Sequence, residues 1–328
     1  MKINELIGNN TTKIQLQSMF AKNKFPHAIL LEGATGLGKK TLAKIIAQAS
    51  ICSALKDGLV CETCEDCKKN KKNVHPDIIY PEKSGALQGY SISTVRQIRT
   101  DAHIMSNEAS RKVYIFTDVD NIGIPAQNAI LKVLEEPPKN VIFIFTCVNP
   151  SNLLPTVRSR LQQFSLKPVA DDELEHYLRK KCTGKQLEKL SDIKKIAKGN
   201  IGLALDLIDS SDLENTWSVT QDIAKSLASP REFDLLESLS KLSDDRKNFV
   251  RMLNFLEEVF STALLLSRDV NLHNNDLSAI LAQRLSTKQI LNLIECVAQA
   301  KIYIDKNVST SILISNFCSS LYKIAFNV

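Results

Sequence analysis

Residues 33–41 read GATGLGKKT, and this short stretch decides how the chain is built. Gly33, Gly38 and Lys39 satisfy the spacing G-x-x-x-x-G-K-[ST]. In such a loop the N–H groups of Gly36, Gly38 and Lys39 face an anion at a helix N-terminus, where the backbone dipole favours phosphate. The next position needs a hydroxyl to hold Mg²⁺, and here it is Lys40. Thr41 is not a simple replacement, because adjacent helical residues point about 100° apart.

Working outward, HAILLEG (27–33) precedes the loop and TLAKIIAQAS (41–50) follows it, the order strand, loop, helix. KVYIFTDVD (112–120) and VIFIFTCV (141–148) read as two further strands. PAQNAILKVLEE (125–136) reads as a helix that Pro137-Pro138 terminates. Continuous apolar runs are the mark of parallel strands covered by helices on both faces. Residues 1–167 are therefore expected to form a doubly wound α/β domain. After Pro168 only helical periods follow, as in DDELEHYLRKK (171–181) and DIKKIAKGNIGLALDLI (192–208), with Gly199 as a helix stop. A small helical domain over 168–209 and an all-helical domain over 210–328 are expected.

The 328 residues carry a formal charge of +6, a mild excess that assists nucleic-acid contact without requiring it. Six per cent aromatics and one Trp, Trp217, argue against a single-strand stacking platform. MKINELIGNN lacks the apolar core of a secretory signal, and no run reaches the roughly 18 apolar residues of a membrane span. A soluble cytoplasmic protein without membrane contact is expected.

Cys52, Cys61, Cys64 and Cys67 form two overlapping C-x-x-C units with one further thiol nine residues upstream. Four soft ligands in a short loop suit a closed tetrahedral structural Zn²⁺. A redox pair or four ordinary thiols are the competing readings. His75, in NVHPDIIYPE, is read as structural and not as a ligand; the lysines of KKNKKN (68–73) are read as a solvated loop. Cys147, Cys182, Cys296 and Cys318 stand singly in apolar contexts and read as small buried hydrophobes. Arg158 is read as a surface charge and His27 as a satisfied buried histidine.

The run NAILKVLEEPP (128–138), followed by FTCVNPSNLLPTVRSR (145–160), resembles the signature of the bacterial DNA polymerase III clamp-loader subunits of the AAA+ superfamily. The four-cysteine spacing resembles that family's zinc module. The resemblance covers essentially the whole chain and is strongest over 25–163. It implies an AAA+ P-loop domain with a four-cysteine zinc module, a helical lid (168–209) and a helical oligomerisation collar (210–328).

Two kinds of subunit share this plan, the ATP-hydrolysing gamma/tau motor and the delta prime kind, and the resemblance lets each catalytic part be checked. Thr117 and Asp118 stand where the motor carries an Asp-Glu pair, and Lys40 stands at the metal hydroxyl. Gly202, in GNIGLAL, stands at the sensor-2 arginine. These four changes agree with the delta prime kind, with little or no ATPase activity of its own inside the polymerase holoenzyme. A gamma/tau-type active motor is the alternative, and nucleotide binding without hydrolysis stays open. From the residues alone, Arg160 in Ser159-Arg160-Leu161 reads as capping a helix or pairing with a local carboxylate; with the surrounding motif it resembles the family's arginine finger, which acts on a neighbour's ATP, and that reading is favoured. The implied partners are the gamma/tau and delta subunits, the sliding clamp and primer–template DNA. A DNA-binding zinc module unrelated to clamp loading would need a concentrated basic helix, which the sequence lacks.

Overall fold

Strand-forming runs and amphipathic runs alternate through the first half of the chain, and the structure follows that alternation. It is a computed structural model that describes residues 3–84, 89–182, 187, 190–209, 211–227, 232–242, 246–267, 276–305 and 309–326. The chain divides into two compact units, Met1–Leu205 and Asp206–Val328.

The first unit runs α1 (Asn10–Ala21), β1 (Ala28–Glu32), α2 (Lys39–Ile51), α3 (Glu65–Lys71), β2 (Ile78–Ile79), α4 (Ile92–Asp101) and β3 (Lys112–Phe116). It continues with α5 (Ile124–Glu135), β4 (Val141–Cys147), α6 (Pro155–Arg158), β5 (Gln162–Ser165), α7 (Asp171–Lys181), α8 (Leu190–Ala197) and the start of α9 (Ile201–Asp209). All strand pairs are parallel, in the order β2-β3-β4-β1-β5. This is an open parallel α/β sheet whose first described strand runs into a P-loop-like glycine stretch.

Alternation along each strand explains why both faces are buried. Ile29, Leu31, Val113, Ile115, Ile142 and Ile144 join a core with α1 and α2. Leu30, Tyr114, Phe116, Phe143 and Phe145 point the other way, into a core with α4 and α5. There Tyr114 stacks on Phe143 at 5.3 Å between ring centroids, and Phe116 on Phe145 at 4.9 Å. Each such fully buried ring contributes about 1.5–3 kcal/mol, so the sheet is fixed rigidly beneath its loops. β1 lies between β4 and β5, and its C-terminal end opens directly into the glycine loop. Ligands of open α/β sheets bind outside the carboxyl ends of the strands, where GATGLGKKT sits.

Three local expectations change. The strand expected over 112–120 ends at Phe116, because Asp118 adopts a left-handed backbone (φ 52°) and Val119–Asn121 form a 3₁₀ turn. The lysine run after Cys67 is not a loop: Lys68, Lys69 and Lys71 lie on α3, with Lys68 paired to Glu65 and Lys69 to Glu108. β2 and β5 are strands that the apolar pattern does not announce: β2 has two residues, and three of β5's four side chains are exposed.

The second unit contains α10 (Ser211–Ser226), α11 (Glu232–Ser240), α12 (Arg246–Leu266), α13 (Asp276–Arg284), α14 (Thr287–Asp305) and α15 (Thr310–Phe326). α12 is its axis, packed by α10, α13 and α14, with Phe249, Leu256, Phe260, Leu293 and Leu321 in one core. Among the described residues no helix is long and apolar enough to cross a membrane.

Candidate nucleotide-type site and cysteine cluster

The glycine loop has the backbone of a phosphate cradle. Gly36 and Gly38 adopt φ values of 88° and 91°, and α2 begins at Lys39 with Gly38 as its N-cap. Lys39 is buried, and its ammonium donates to the carbonyls of Gly33 at 2.5 Å and Ala34 at 2.9 Å. Burial pulls the Lys39 pKa below the ordinary lysine value, opposed by the nearby Asp118 and Asp120.

The carboxylate beside this loop is already neutralised. One oxygen of Asp118, Oδ2, accepts from Lys40 Nζ at 2.7 Å and from Lys83 Nζ at 3.0 Å. Burial works against ionisation of Asp118, but the two ammonium groups outweigh it and hold its carboxyl below the usual value. The strand end that presents it is held by side chains. Thr117 N–H donates to Tyr90 Oη at 2.8 Å, Tyr90 O–H donates back to the Thr117 carbonyl at 2.9 Å, and Asp118 N–H donates to Thr146 Oγ1 at 2.9 Å. Asp120 is engaged elsewhere, accepting from the N–H groups of Val148 and Asn149.

A second segment closes on the loop from residues 200–202. Gly202 N–H donates to the Gly36 carbonyl at 2.9 Å, and Asn200 Nδ2 donates to the Thr35 carbonyl at 2.7 Å. A Cβ on Gly202 would stand 2.6 Å from Gly36 Cα, so the approach requires glycine.

Arg160 lies away from the loop, just after α6, about one-third exposed. Its guanidinium bonds Glu135 Oε1 at 2.8 Å and the Thr156 carbonyl at 2.8 Å. In the single chain it therefore both pairs with a local carboxylate and caps its preceding helix. Arg158 is not a plain surface charge: it is half-buried, and its Nε has no hydrogen-bond partner. His27 is exposed, contrary to the expectation of a buried histidine, because it precedes β1 at the rim of the sheet.

The four cysteines converge. Their Sγ atoms all lie within 4.8 Å of one another, with Cys52–Cys61 at 3.6 Å and Cys61–Cys67 at 4.0 Å. Those separations are too long for a disulfide. They fit a tetrahedral metal instead, for which a 2.3 Å metal–sulfur bond gives about 3.8 Å between sulfurs. These residues can hold a metal ion, with no position left for substrate. The N–H groups of Cys61 and Cys64 donate to Cys52 and Cys61 sulfur, at 3.5 and 3.3 Å. His75 is buried outside the cluster; its Nδ1 accepts from Asp77 N–H at 3.1 Å and its Nε2 lies 3.4 Å from Asp66. Cys147, Cys182 and Cys318 are buried, whereas Cys296 is half-buried.

Residues 8–170 match the family described as "DNA polymerase III, delta subunit". The tau subunit of Bacillus subtilis DNA polymerase III is 29% identical over 284 residues, 80% of this chain and 50% of tau. The gamma subunit of Buchnera aphidicola is 26% identical over 78% of this chain and 76% of its own. Over most of its length the chain is similar to gamma and tau subunits of DNA polymerase III. It spans half the length of the B. subtilis relative and 38% of the Escherichia coli tau subunit, to which it is 24% identical. Among solved structures, a gamma-subunit-related protein of Thermotoga maritima aligns with 95% of this chain and 99% of its own, at TM-score 0.49 and 16% identity.

Of the residues that shape this site, Lys83 and Tyr90 carry no motif, and Thr146 and Asn200 lie in the quoted runs FTCVNPSNLLPTVRSR and GNIGLAL without being singled out by them. Lys83, Tyr90, Thr146 and Asn200 reach it from separate segments. Glu135 reads in sequence as one more residue of a helical run, yet it is the partner of Arg160. No spacing rule links residues so far apart in the chain, so only the fold reveals them.

Proposed function

We propose that the chain is a delta prime-type subunit of a DNA polymerase III clamp loader, a ring member that does not itself hydrolyse ATP. The observation that carries this reading is the Lys40–Asp118 ion pair at 2.7 Å. Hydrolysis by a P-loop enzyme uses a hydroxyl and an acidic residue to hold Mg²⁺ against the nucleotide. Here the hydroxyl position supplies an ammonium that takes up the remaining carboxylate. Residues 168–209 serve as a lid and 210–328 as the collar that joins the ring. Arg160 serves as the arginine finger, leaving Glu135 to meet the developing charge on a neighbouring motor's nucleotide. Zn²⁺ is the metal of the Cys52/Cys61/Cys64/Cys67 module and is structural. Gly33, Gly36, Gly38, Lys39, Lys40 and Thr41 form a retained scaffold that can hold ATP, with weak or silent catalysis. The partners are the gamma/tau and delta subunits, the sliding clamp and, through the assembly, primer–template DNA in the cytoplasm.

The curated relatives carry gamma and tau names, and this favours a second reading, a divergent active motor. One experiment separates the two. ATP turnover is measured for the chain alone, then for the chain assembled with gamma/tau and delta, each with wild type and Arg160→Ala. The stator reading expects no turnover alone and a fall in ring turnover with the variant. Fingers supplied in trans are worth about 10³–10⁵ in rate at their own site. Turnover by the isolated chain would establish the motor instead.

A further inference from the structure

The P-loop site, read as above, raises the question of what occupies the cation's place. Two ammonium groups converge on one oxygen of Asp118, from segments 43 residues apart in sequence. Lys40 sits on the second residue of α2, and Lys83 just before an antiparallel bridge between Ser84 and Gly89. Lys83 is 22% exposed, which distinguishes it from a long side chain resting on a surface.

The anion they share is fixed in advance. Asp118 has a left-handed backbone, φ 52° and ψ 59°, and its N–H is held by the buried Thr146 hydroxyl. Its neighbour Thr117 is held from both sides of the peptide by the Tyr90 hydroxyl. The carboxylate is therefore presented at one place, and two cations are brought to it. Their summed formal charge of about +2 equals that of one Mg²⁺, which is a hard ion demanding near-octahedral oxygen ligands. Neither ammonium offers a ligand, for both carry only donors. Asp120, the next carboxylate along the chain, is committed to two backbone N–H groups. The residues present do not fit a divalent cation.

We propose that Lys40 and Lys83 form a built-in replacement for the divalent cation at Asp118, so that the site excludes Mg²⁺ instead of merely lacking one of its ligands. This rests on the reading of the loop as a degenerate nucleotide site. It adds that the loss is a compensated substitution: the charge a metal would supply is supplied by the chain. The carboxylate then stays ionised, and the ends of β3 and β4 keep their arrangement with no metal or nucleotide bound. It also assigns a role to Lys83, which no sequence motif marks.

The test is Mn²⁺ titration of the full-length chain, followed by electron paramagnetic resonance of the free ion, after the cysteine cluster has been loaded with Zn²⁺. Variants are Asp118→Asn alone, Lys40→Thr, Lys40→Thr/Lys83→Ala, and each of the last two combined with Asp118→Asn. Wild type is expected to bind no Mn²⁺ that depends on Asp118. The double variant is expected to bind Mn²⁺ at least ten-fold more tightly than wild type, and Asp118→Asn is expected to abolish the gain. Lys40→Thr alone is expected to show a smaller gain in the same direction, which keeps the test decisive if the double variant does not fold. Mn²⁺ binding by wild type that Asp118→Asn removes would overturn the proposal. So would a folded variant with no gain, or a gain that survives Asp118→Asn. None of these outcomes bears on Arg160, whose role is read from ring turnover.

Discussion

Gly202 donates its backbone N–H to the Gly36 carbonyl at 2.9 Å, so α9 begins directly on the glycine loop. The contact leaves no room for a side chain on either residue. A Cβ on Gly202 would lie 2.6 Å from Gly36 Cα, and one on Gly36 would lie 2.2 Å from Asn200 Oδ1. Gly202→Ala is therefore expected to destabilise the first unit by about 1–3 kcal/mol, the usual cost of overpacking a fixed contact. Gly123→Ala is the control: its φ is −66°, and a Cβ there would meet nothing nearer than 3.7 Å. Hydrogen exchange of residues 33–41 is the measurement. Faster exchange in Gly202→Ala but not in Gly123→Ala is expected, and equal exchange in both would show that the seam carries no stability.

The Arg160–Glu135 pair should contribute little to the single chain. Both side chains are substantially exposed, 35% and 49%, and exposed ion pairs are worth about 0–1 kcal/mol. Arg160→Ala and Glu135→Gln are each expected to shift the unfolding free energy by less than about 1 kcal/mol. A double-mutant cycle in urea measures their coupling, which should fall further as salt is raised. A coupling above about 2 kcal/mol would mark the pair as a structural brace, unlike an ordinary exposed pair.

The sheet was legible wherever burial was complete. Ala28–Glu32, Val141–Cys147 and most of Lys112–Phe116 announce themselves as apolar runs because helices cover both faces. Gln162–Ser165 does not, because only Phe164 turns inward and the strand is read from its pairing with β1. The cysteine cluster could be read because its ligands lie within 16 residues of one another, and local spacing suffices there. The neutralised Asp118 could not. Lys40 was legible as a missing hydroxyl, but that its ammonium reaches Asp118, and that Lys83 joins it, depends on loops meeting across the sheet's carboxyl edge.

Asp77 should set an acid limit on the first unit. Its side chain is buried, and its carboxylate accepts backbone N–H groups from Asn107, Glu108 and Ala109, at 2.6, 2.8 and 2.8 Å, plus Asn107 Nδ2. Burial alone would raise its pKa, but these donors outweigh burial and bring it below the ordinary value of 3.8. A depressed folded pKa means that the unfolded chain takes up the proton first as pH falls. The stabilisation is thus fully present above the unfolded value and is lost as pH drops from there through the folded value. Asp77→Asn is expected to cost about 1.5–3 kcal/mol at neutral pH, the range for hydrogen bonds to a charged group. It should also flatten the loss of stability between neutral and strongly acid pH. Parallel acid profiles for variant and wild type would show that another carboxylate sets the limit.

Metal loading of the cysteine cluster should release protons. Burial raises the Cys52 and Cys67 thiols above their ordinary value. In Cys61 burial acts the same way, but N–H donors from Cys64 and Thr63 outweigh it and bring that thiol down to about 6. Only thiolates bind the metal, so the protons on Cys52 and Cys67 must leave at neutral pH, and affinity must fall as pH is lowered. Calorimetric titration of the apo chain with Zn²⁺, in buffers of different ionisation enthalpy, counts those protons. One metal per chain and more than one proton released at pH 7 are expected, with Cys64→Ser weakening binding and loosening residues 52–71 to hydrogen exchange. Binding that releases no proton would mean that the four thiols are not the ligands.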